Sequence, residues 1–449
     1  MHWLLFIYPV LAAALSRFLS HKRSLDLLVL FHAILHFGLA AEGFLIRGSL
    51  GGMDDLGLFV FIITSVLYMA VAIYKLGESD DAPAHQYRIH TICLMLFITA
   101  MDGACIVKDL GWIWVFVEAT TLASAMLISS EHHKSSVEAA WKYLFICSLG
   151  IALAFVGILL LVIAQPETAT LSMGVLVRHT SQISSFWLKL SFVFIMVGFG
   201  TKVGLAPLHF WLPDAHSEAP APISALLSGA LLNTALIPIL RMDKLMKVAG
   251  LATTAQSVYL IFGFLSLFIA TVFILKTKNY KRLLAYSSIE NMGFVMLAFG
   301  AGGIAIFAGF LHILGHSLIK SAMFLTAGNI LRIYKDKLIS NVKGLLNTHK
   351  TTAWLWLTGT AMITGFPPSP LFLSKFLIIT ALLSKGYYIG VAAVLFMVAT
   401  IVWSMSKTGL TMTMGDTKKD AAIGHLSYLV PAGLLLIAAI IGIWPPALD

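Results

Sequence analysis

The sequence predicts an all-α integral membrane protein of about 14 transmembrane helices, two of them broken, and three observations carry that prediction. Of its 449 residues, 59% are hydrophobic and 11% charged, against about 25% charged in an ordinary soluble domain. Mean hydropathy is +0.90, which excludes a globular cytosolic protein. Apolar runs of the ~20 residues that a helix needs to cross a bilayer recur along the whole chain. Inside three of these runs stands a lone lysine beside proline, glycine or histidine: Lys202, Lys320 and Lys375. A charge at mid-bilayer costs roughly 2.5–3.5 kcal/mol even on the forgiving insertion scale, so residues of this kind persist where something uses them.

Taken in order, the candidate spans lie near 3–19, 24–46, 57–76, 89–107, 110–130, 137–164, 187–210, 219–241, 251–275, 282–301, 303–331, 351–384, 386–407 and 421–445. The first is preceded by no basic stretch and followed by no small-residue cleavage site, so it reads as a permanent helix and not a signal peptide. Segments 303–331 and 351–384 are too long for simple spans and are expected to bend or break. Lys202 precedes Pro207 and Pro213, whereas Pro367, Pro368 and Pro370 precede Lys375. Proline removes a backbone donor and breaks a helix, and opened backbone at membrane depth is tolerated only where protein buries it or water reaches it. The reversed order of lysine and prolines is what two inverted five-helix repeats give. The expected organisation is therefore an N-terminal three-helix region over 1–88, a first repeat half over 89–250 (spans 4–8), a second over 251–410 (spans 9–13) and a last span in 411–449.

Charge placement speaks to topology. Of the 30 lysines and arginines, 27 lie near segment ends, and 19 of these, from Arg17 to Lys419, share one side if the N-terminus is outside. The positive-inside rule then puts both termini outside, and the net charge of +9 needs no nucleic acid to explain it. Cys93, Cys105 and Cys147 are scattered in apolar segments without metal or disulfide spacing and read as inert small hydrophobes.

The ionisable residues inside the spans suggest proton handling. Glu118, in GWIWVFVEATTLASAMLISS, needs a cationic partner or a proton; with a lysine nearby, the two form a coupled pair able to pass protons in steps. A structural ion pair or polar helix contact is the competing reading. Lysine, unlike arginine, gives up its proton readily on burial, so its use at all three positions favours titration over fixed charge. His312, His316 and Lys320 recur every four residues and share one helix face, where histidine suits a relay. A zinc site there lacks an acid or cysteine to complete it, and plain polar packing is the other alternative. Lys375 stands at the end of the second broken helix, while Glu290, in KRLLAYSSIENMG, serves either transport or an interfacial cap. His209, His216, Asp214 and Glu218 form either a proton uptake site or a solvated connection. Lys142 is a further auxiliary position. His32, His36 and Glu42 share the second span and read as a polar face toward a partner subunit, not as transport groups.

The stretch GFGTKVGLAPLHFWLPDAHSEAPAPISALLSG, with KRLLAYSSIENMG and HSLIKSAMFLTAGNI, resembles the signatures of antiporter-like subunits of respiratory complex I, Mrp-type cation/proton antiporters and membrane-bound hydrogenases. The resemblance covers roughly residues 90–410. It implies that Glu118 in span 5 pairs with Lys202 in broken span 7, that Lys320 is the central lysine of span 11, and that Lys375 is the terminal residue of broken span 12. It also implies fourteen spans with two inverted repeats. Many complex I members carry a histidine just after the PxSAL stretch, where this chain has Ser228-Gly229. That departure, the following LLNTAL and Glu290 in SSIEN look most like the hydrogenase-4 component F group of formate-hydrogenlyase-type complexes. With Asp449 close after span 14, the lateral helix of one complex I subunit type is not expected on this chain.

The resemblance implies a proton-translocating subunit attached to other membrane-arm subunits and to a soluble redox arm, a group 4 [NiFe]-hydrogenase with Fe–S subunits, in a prokaryotic inner membrane. Protons are the expected cargo and sodium the alternative. Redox chemistry is expected elsewhere, because the sequence offers neither a cysteine cluster for Fe–S nor a dinucleotide fingerprint, and no cofactor is expected on this chain. The rival readings are a complex I or Mrp-type subunit, a non-pumping structural subunit and an independent secondary transporter for an anionic solute that uses the lysines as counter-charges.

Overall fold

The computed structural model describes residues 3–19, 21–45, 53–78, 83–131, 133–166, 169–415 and 423–446. Lys418 and Lys419, counted above in the loop bias, lie outside the described residues. Among these, twelve helices are long and apolar enough to cross a membrane, and Leu4–Ser16 and Pro370–Ser384 are shorter apolar helices. The described secondary structure is almost entirely helical, with two isolated β-bridges.

By internal contacts the chain forms two compact units. The first comprises Met1–Val203 and Ala230–Ala255, the second Gly204–Gly229 and Gln256–Asp449. In the first unit the helices are α1 (Trp3–Ser16), α2 (Lys22–Leu45), α3 (Asp55–Leu76), α4 (Ala84–Ile106), α5 (Leu110–Ile128), α6 (Lys134–Ile163) and α7 (Ser185–Val203). The second begins with α8 (Trp211–Glu218) and the start of α9 (Ala221–Val248), whose remainder belongs to the first. Most of α10 (Ala252–Lys276) belongs to the second unit. It is followed by α11 (Tyr280–Ala301), α12 (Ile304–Tyr334), α13 (Lys350–Thr364), α14 (Pro370–Ser384), α15 (Tyr388–Thr413) and α16 (Leu426–Ile443).

The long segments break where the prolines stand. Helix α7 stops one residue after Lys202, Gly204 turns at φ +82°, and α8 starts after Pro207. Helix α13 stops at Thr364, Gly365 turns at φ +98°, and Pro370 opens α14 at a position where a missing N–H costs nothing. Helix α12, by contrast, runs unbroken for 31 residues.

Side-chain caps fix several helix starts. Asp109 accepts from the amides of Gly111 and Trp112 before α5, and Asn279 from those of Lys281 and Arg282 before α11. Each cap residue also forms one of the two β-bridges, Asp109 with Ser172 and Asn279 with Leu338. Such caps satisfy amides that the first helical turn leaves unpaired.

In lipid, helices associate through close packing at small residues. Along the α6–α7 contact, a Cβ on Gly198 would stand 2.4 Å from the Ala154 amide nitrogen, and one on Gly150 2.6 Å from Thr201 Cβ. Ser191 closes the seam by donating to the Gly157 carbonyl at 2.7 Å. In the second unit Gly315 of α12 lies against Pro370 of α14 in the same way.

Candidate functional site: two buried lysine networks

Within the first unit, the glycine seam carries α7 so close to α6 that the fully buried Lys202 reaches both α5 and α6. Its Nζ donates to Thr121 Oγ1 at 2.7 Å and to the Tyr143 hydroxyl at 2.5 Å, and it lies 4.7 Å from the Tyr143 ring centre. Thr121 in turn donates to Glu118 Oε2 at 3.2 Å, and Ser148 donates to Glu118 Oε1 at 2.7 Å. Carboxylate and ammonium are thus joined through one hydroxyl. A hydroxyl that accepts from nitrogen and donates to a carboxylate can hand a proton across by shifting two hydrogens, each over one hydrogen-bond length. Tyr143 and Ser124 are 2.6 Å apart, and Ser124 donates onward to the Thr120 carbonyl.

Within the second unit Lys375 Nζ pairs with Glu290 Oε1 at 2.7 Å, the carboxylate fully buried. Asn291 donates to Glu290 Oε2 at 3.3 Å, and its Oδ1 lies 3.0 Å from His312 Nε2. His312 Nδ1 lies 2.8 Å from Ser374 Oγ, which also reaches the Leu371 carbonyl at 3.2 Å. A neutral His312 donates to Asn291 and accepts from Ser374. A charged one donates to both while Ser374 turns to Leu371. Both protonation states are therefore fully hydrogen-bonded, which suits a residue that exchanges protons in place.

Lys320, fully buried on α12, donates to Ser287 Oγ and to the Leu284 carbonyl on α11. His316 is fully buried one turn before it, with neither ring nitrogen hydrogen-bonded among the described residues; its electrostatic neighbours are Lys320, His312, His216 and Lys375. His216 likewise has no hydrogen-bond partner for either ring nitrogen among the described residues, and its ring stacks on Phe324 at 4.8 Å.

The remaining residues singled out in the sequence are placed as follows. Asp214 pairs with Arg282, and Glu218 with Lys337 at 3.0 Å. His209 is buried, 3.2 Å from the Pro207 carbonyl. Lys142 is on the exposed face of α6, paired with Glu138 at 2.7 Å. Glu290 sits half-way along α11, whose cap is Asn279. Ser228 falls in a π-helical turn, Leu227–Leu231, and its hydroxyl lies 2.9 Å from that of Ser288. His32 and His36 are fully buried within the first unit, not on an outer face. Thr121, Tyr143, Ser148, Asn291, Ser287 and Ser374 were not picked out by sequence reasoning; the one available signal was a hydroxyl or amide in an otherwise apolar run.

These helices and polar networks make a multi-span helical membrane protein with buried lysines linked to carboxylates, Glu290 buried and Glu118 half-buried. Residues 107–402 match the family described as NADH:quinone oxidoreductase/Mrp antiporter, TM. A hydrogenase-4 component F homolog from Methylacidiphilum infernorum (isolate V4) is 33% identical over 411 residues, 89% of this chain and 86% of that one. The fold is shared with a chain of the membrane-bound sulfane sulfur reductase, an archaeal respiratory membrane complex (TM-score 0.89, 23% identity, 98% of this chain and 94% of that one). It is shared too with a chain of the Mrp complex from Dietzia sp. DQ12-45-1b (TM-score 0.86, 18% identity, 98% and 93%). The chain belongs to the NADH:quinone oxidoreductase/Mrp antiporter family of transmembrane subunits.

Proposed function

We propose that this chain is a proton-translocating, antiporter-like subunit of a multisubunit membrane oxidoreductase in a prokaryotic inner membrane, coupling redox energy released elsewhere to proton movement. The observation that carries this reading is the run from buried Lys202 through buried Thr121 to half-buried Glu118, in which a titratable amine and a carboxylate share one bridging hydroxyl. Glu118 modulates Lys202: a charged carboxylate favours the ammonium, and its protonation or withdrawal releases the lysine proton. In the second unit His312, His316 and Lys320 relay protons, and the Lys375–Glu290 pair serves the exit side. Asp214, Glu218, His209 and His216 are auxiliary, as is Lys142. The repeat halves proposed for this mechanism are 89–250 and 251–410, flanked by 1–88 and 411–449.

Likeness to a hydrogenase-4 component F homolog supports a group 4 [NiFe]-hydrogenase of formate-hydrogenlyase type, with its Fe–S subunits, as the redox arm. Other membrane-arm subunits and lipid complete the surroundings. Lys202→Ala and Lys320→Ala should each abolish redox-driven acidification in reconstituted vesicles while the complex still copurifies. Unchanged pumping in either variant overturns the assignment. Copurification of this chain with sodium/proton antiporter subunits in place of hydrogenase subunits overturns the choice of redox arm.

A further inference from the structure

The polar groups of the N-terminal helices play no part in the function proposed above, yet they follow one another in depth. Helices α2, α3 and α4 pack against each other and alternate in direction. At 1.5 Å per residue, Asp26, His32 and His36 lie about 6, 15 and 21 Å along α2 from Lys22. Counted from the same end, Tyr68 and Ser65 lie about 12 and 17 Å along α3, and Thr91 and Asp102 about 10 and 27 Å along α4.

Their contacts are direct. Tyr87 donates to Asp26, and Lys75 Nζ sits 4.7 Å from the Tyr87 ring centre. His32 Nδ1 is 3.0 Å from the Tyr68 hydroxyl, and His36 Nε2 is 2.8 Å from Asp102 Oδ1. The two imidazole centres are 6.5 Å apart, with the Tyr68 ring 5.4 Å from one and 6.1 Å from the other. His32, His36 and Asp102 are all fully buried.

Each of these three side chains also keeps a buried polar atom without a hydrogen-bond partner among the described residues: His32 Nε2, His36 Nδ1 and Asp102 Oδ2. The hydroxyls of Thr64, Ser65 and Thr91 are in the same state. Buried polar atoms in folded proteins are nearly always paired, so six unpaired ones along one line of helices ask for a ligand. The other ionisable groups facing the cluster are Tyr8, stacked on His32 at 4.8 Å, and Cys105. Arg241 is already bound by Asp54 and by the Cys105 and Val107 carbonyls. Among the described residues no three histidine, cysteine or carboxylate side chains converge closely enough to hold a metal ion, and histidine, carboxylate and phenol in series are the chemistry of a proton site. With a proton on His36 Nδ1, one further proton held between Nε2 and the carboxylate makes that pair a neutral buried dyad.

We propose that His36 and Asp102, with His32 and Tyr68 in series, form a second proton-binding site of this chain, built from residues other than the two lysine networks. The test is infrared pH-difference spectroscopy of the intact purified complex, together with dye-detected proton uptake after a pH jump. Asp102→Asn keeps the shape and hydrogen-bonding capacity of the side chain. It should remove a carboxyl difference band and one proton of uptake per complex, and His32→Gln should remove an imidazole band while leaving the carboxyl band. Spectra and uptake of Asp102→Asn that superimpose on wild type overturn the proposal. If Asp102→Asn fails to assemble, an unchanged His32→Gln spectrum does so. Pumping by Lys202→Ala, measured in the same preparations, reads the proposed function separately from this site.

Discussion

Thr121 shows how much turns on one hydroxyl. It accepts from Lys202 and donates to Glu118 at 3.2 Å, and nothing in ATTLASAM marks it as different from Thr120. Both hydroxyls reach the Val117 carbonyl, Thr120 at 2.6 Å and Thr121 at 3.4 Å, and Thr121 has the carboxylate as a nearer acceptor. Sequence reasoning found the costly charges, Glu118 and Lys202, because composition alone makes them anomalous in an apolar run. It could not find the bridge, because threonine is an ordinary residue in a membrane helix and only the approach of α7 gives it a role. Thr121→Val keeps the shape and removes the bridge. A hydrogen bond to a charged group is worth about 1.5–3 kcal/mol, so pumping in vesicles should slow roughly tenfold or more. Thr121→Ser should restore it. A valine variant that pumps at the wild-type rate shows that the hydroxyl is not on the path.

Among the elements, the breaks after Lys202 and before Lys375 were readable, since proline clusters inside apolar runs leave the helix no continuation. The π-turn at Leu227–Leu231 was not, because LLSGALL has no proline and an isolated Ser-Gly pair is tolerated inside a helix. Nor did the sequence separate α12 from the broken segment after it: both exceeded a simple span, yet only the proline-containing one breaks. The α6–α7 seam makes the element-scale prediction. In Gly198→Ala the new Cβ must push α7 away from the Ala154 backbone. Overpacking of this kind costs roughly 1–3 kcal/mol, so the melting temperature of the purified complex should fall, and pumping should fall with it as Lys202 leaves Tyr143. Gly38→Ala, with nothing within 4 Å of the added methyl, should change neither. Equal stability of the two variants removes the seam from the account of how Lys202 is positioned.

For the molecule as a whole, the charge bias predicts sidedness, and ion pairs inside the second unit bear on it. Asp214–Arg282 and Glu218–Lys337 tie the connections before α9, α11 and α13 to one end of that unit. A Cβ on Gly302 would lie 3.7 Å from Lys385 Nζ, which brings the connections before α12 and α15 together. With basic loops inside, a thiol at Ser340→Cys should react with an impermeant reagent only in inside-out vesicles, and one at Lys385→Cys only in right-side-out vesicles. The reverse pattern inverts the proposed orientation.

Composition was enough to read off that the chain lives in a membrane, that its proline-containing runs break and which charges are too costly to be incidental. Each of these follows from local composition: apolar length, proline, and an ionisable group among aliphatic ones. Which groups serve those charges was settled by helix packing alone. Thr121 bridges one pair, Glu290 turns from a candidate cap into the partner of Lys375, and Asp102, unremarked in ITAMDGAC, meets His36 across 66 residues of chain. Partners of this kind lie on different helices, and their meeting depends on how closely small residues let two backbones approach, which no single stretch of sequence specifies.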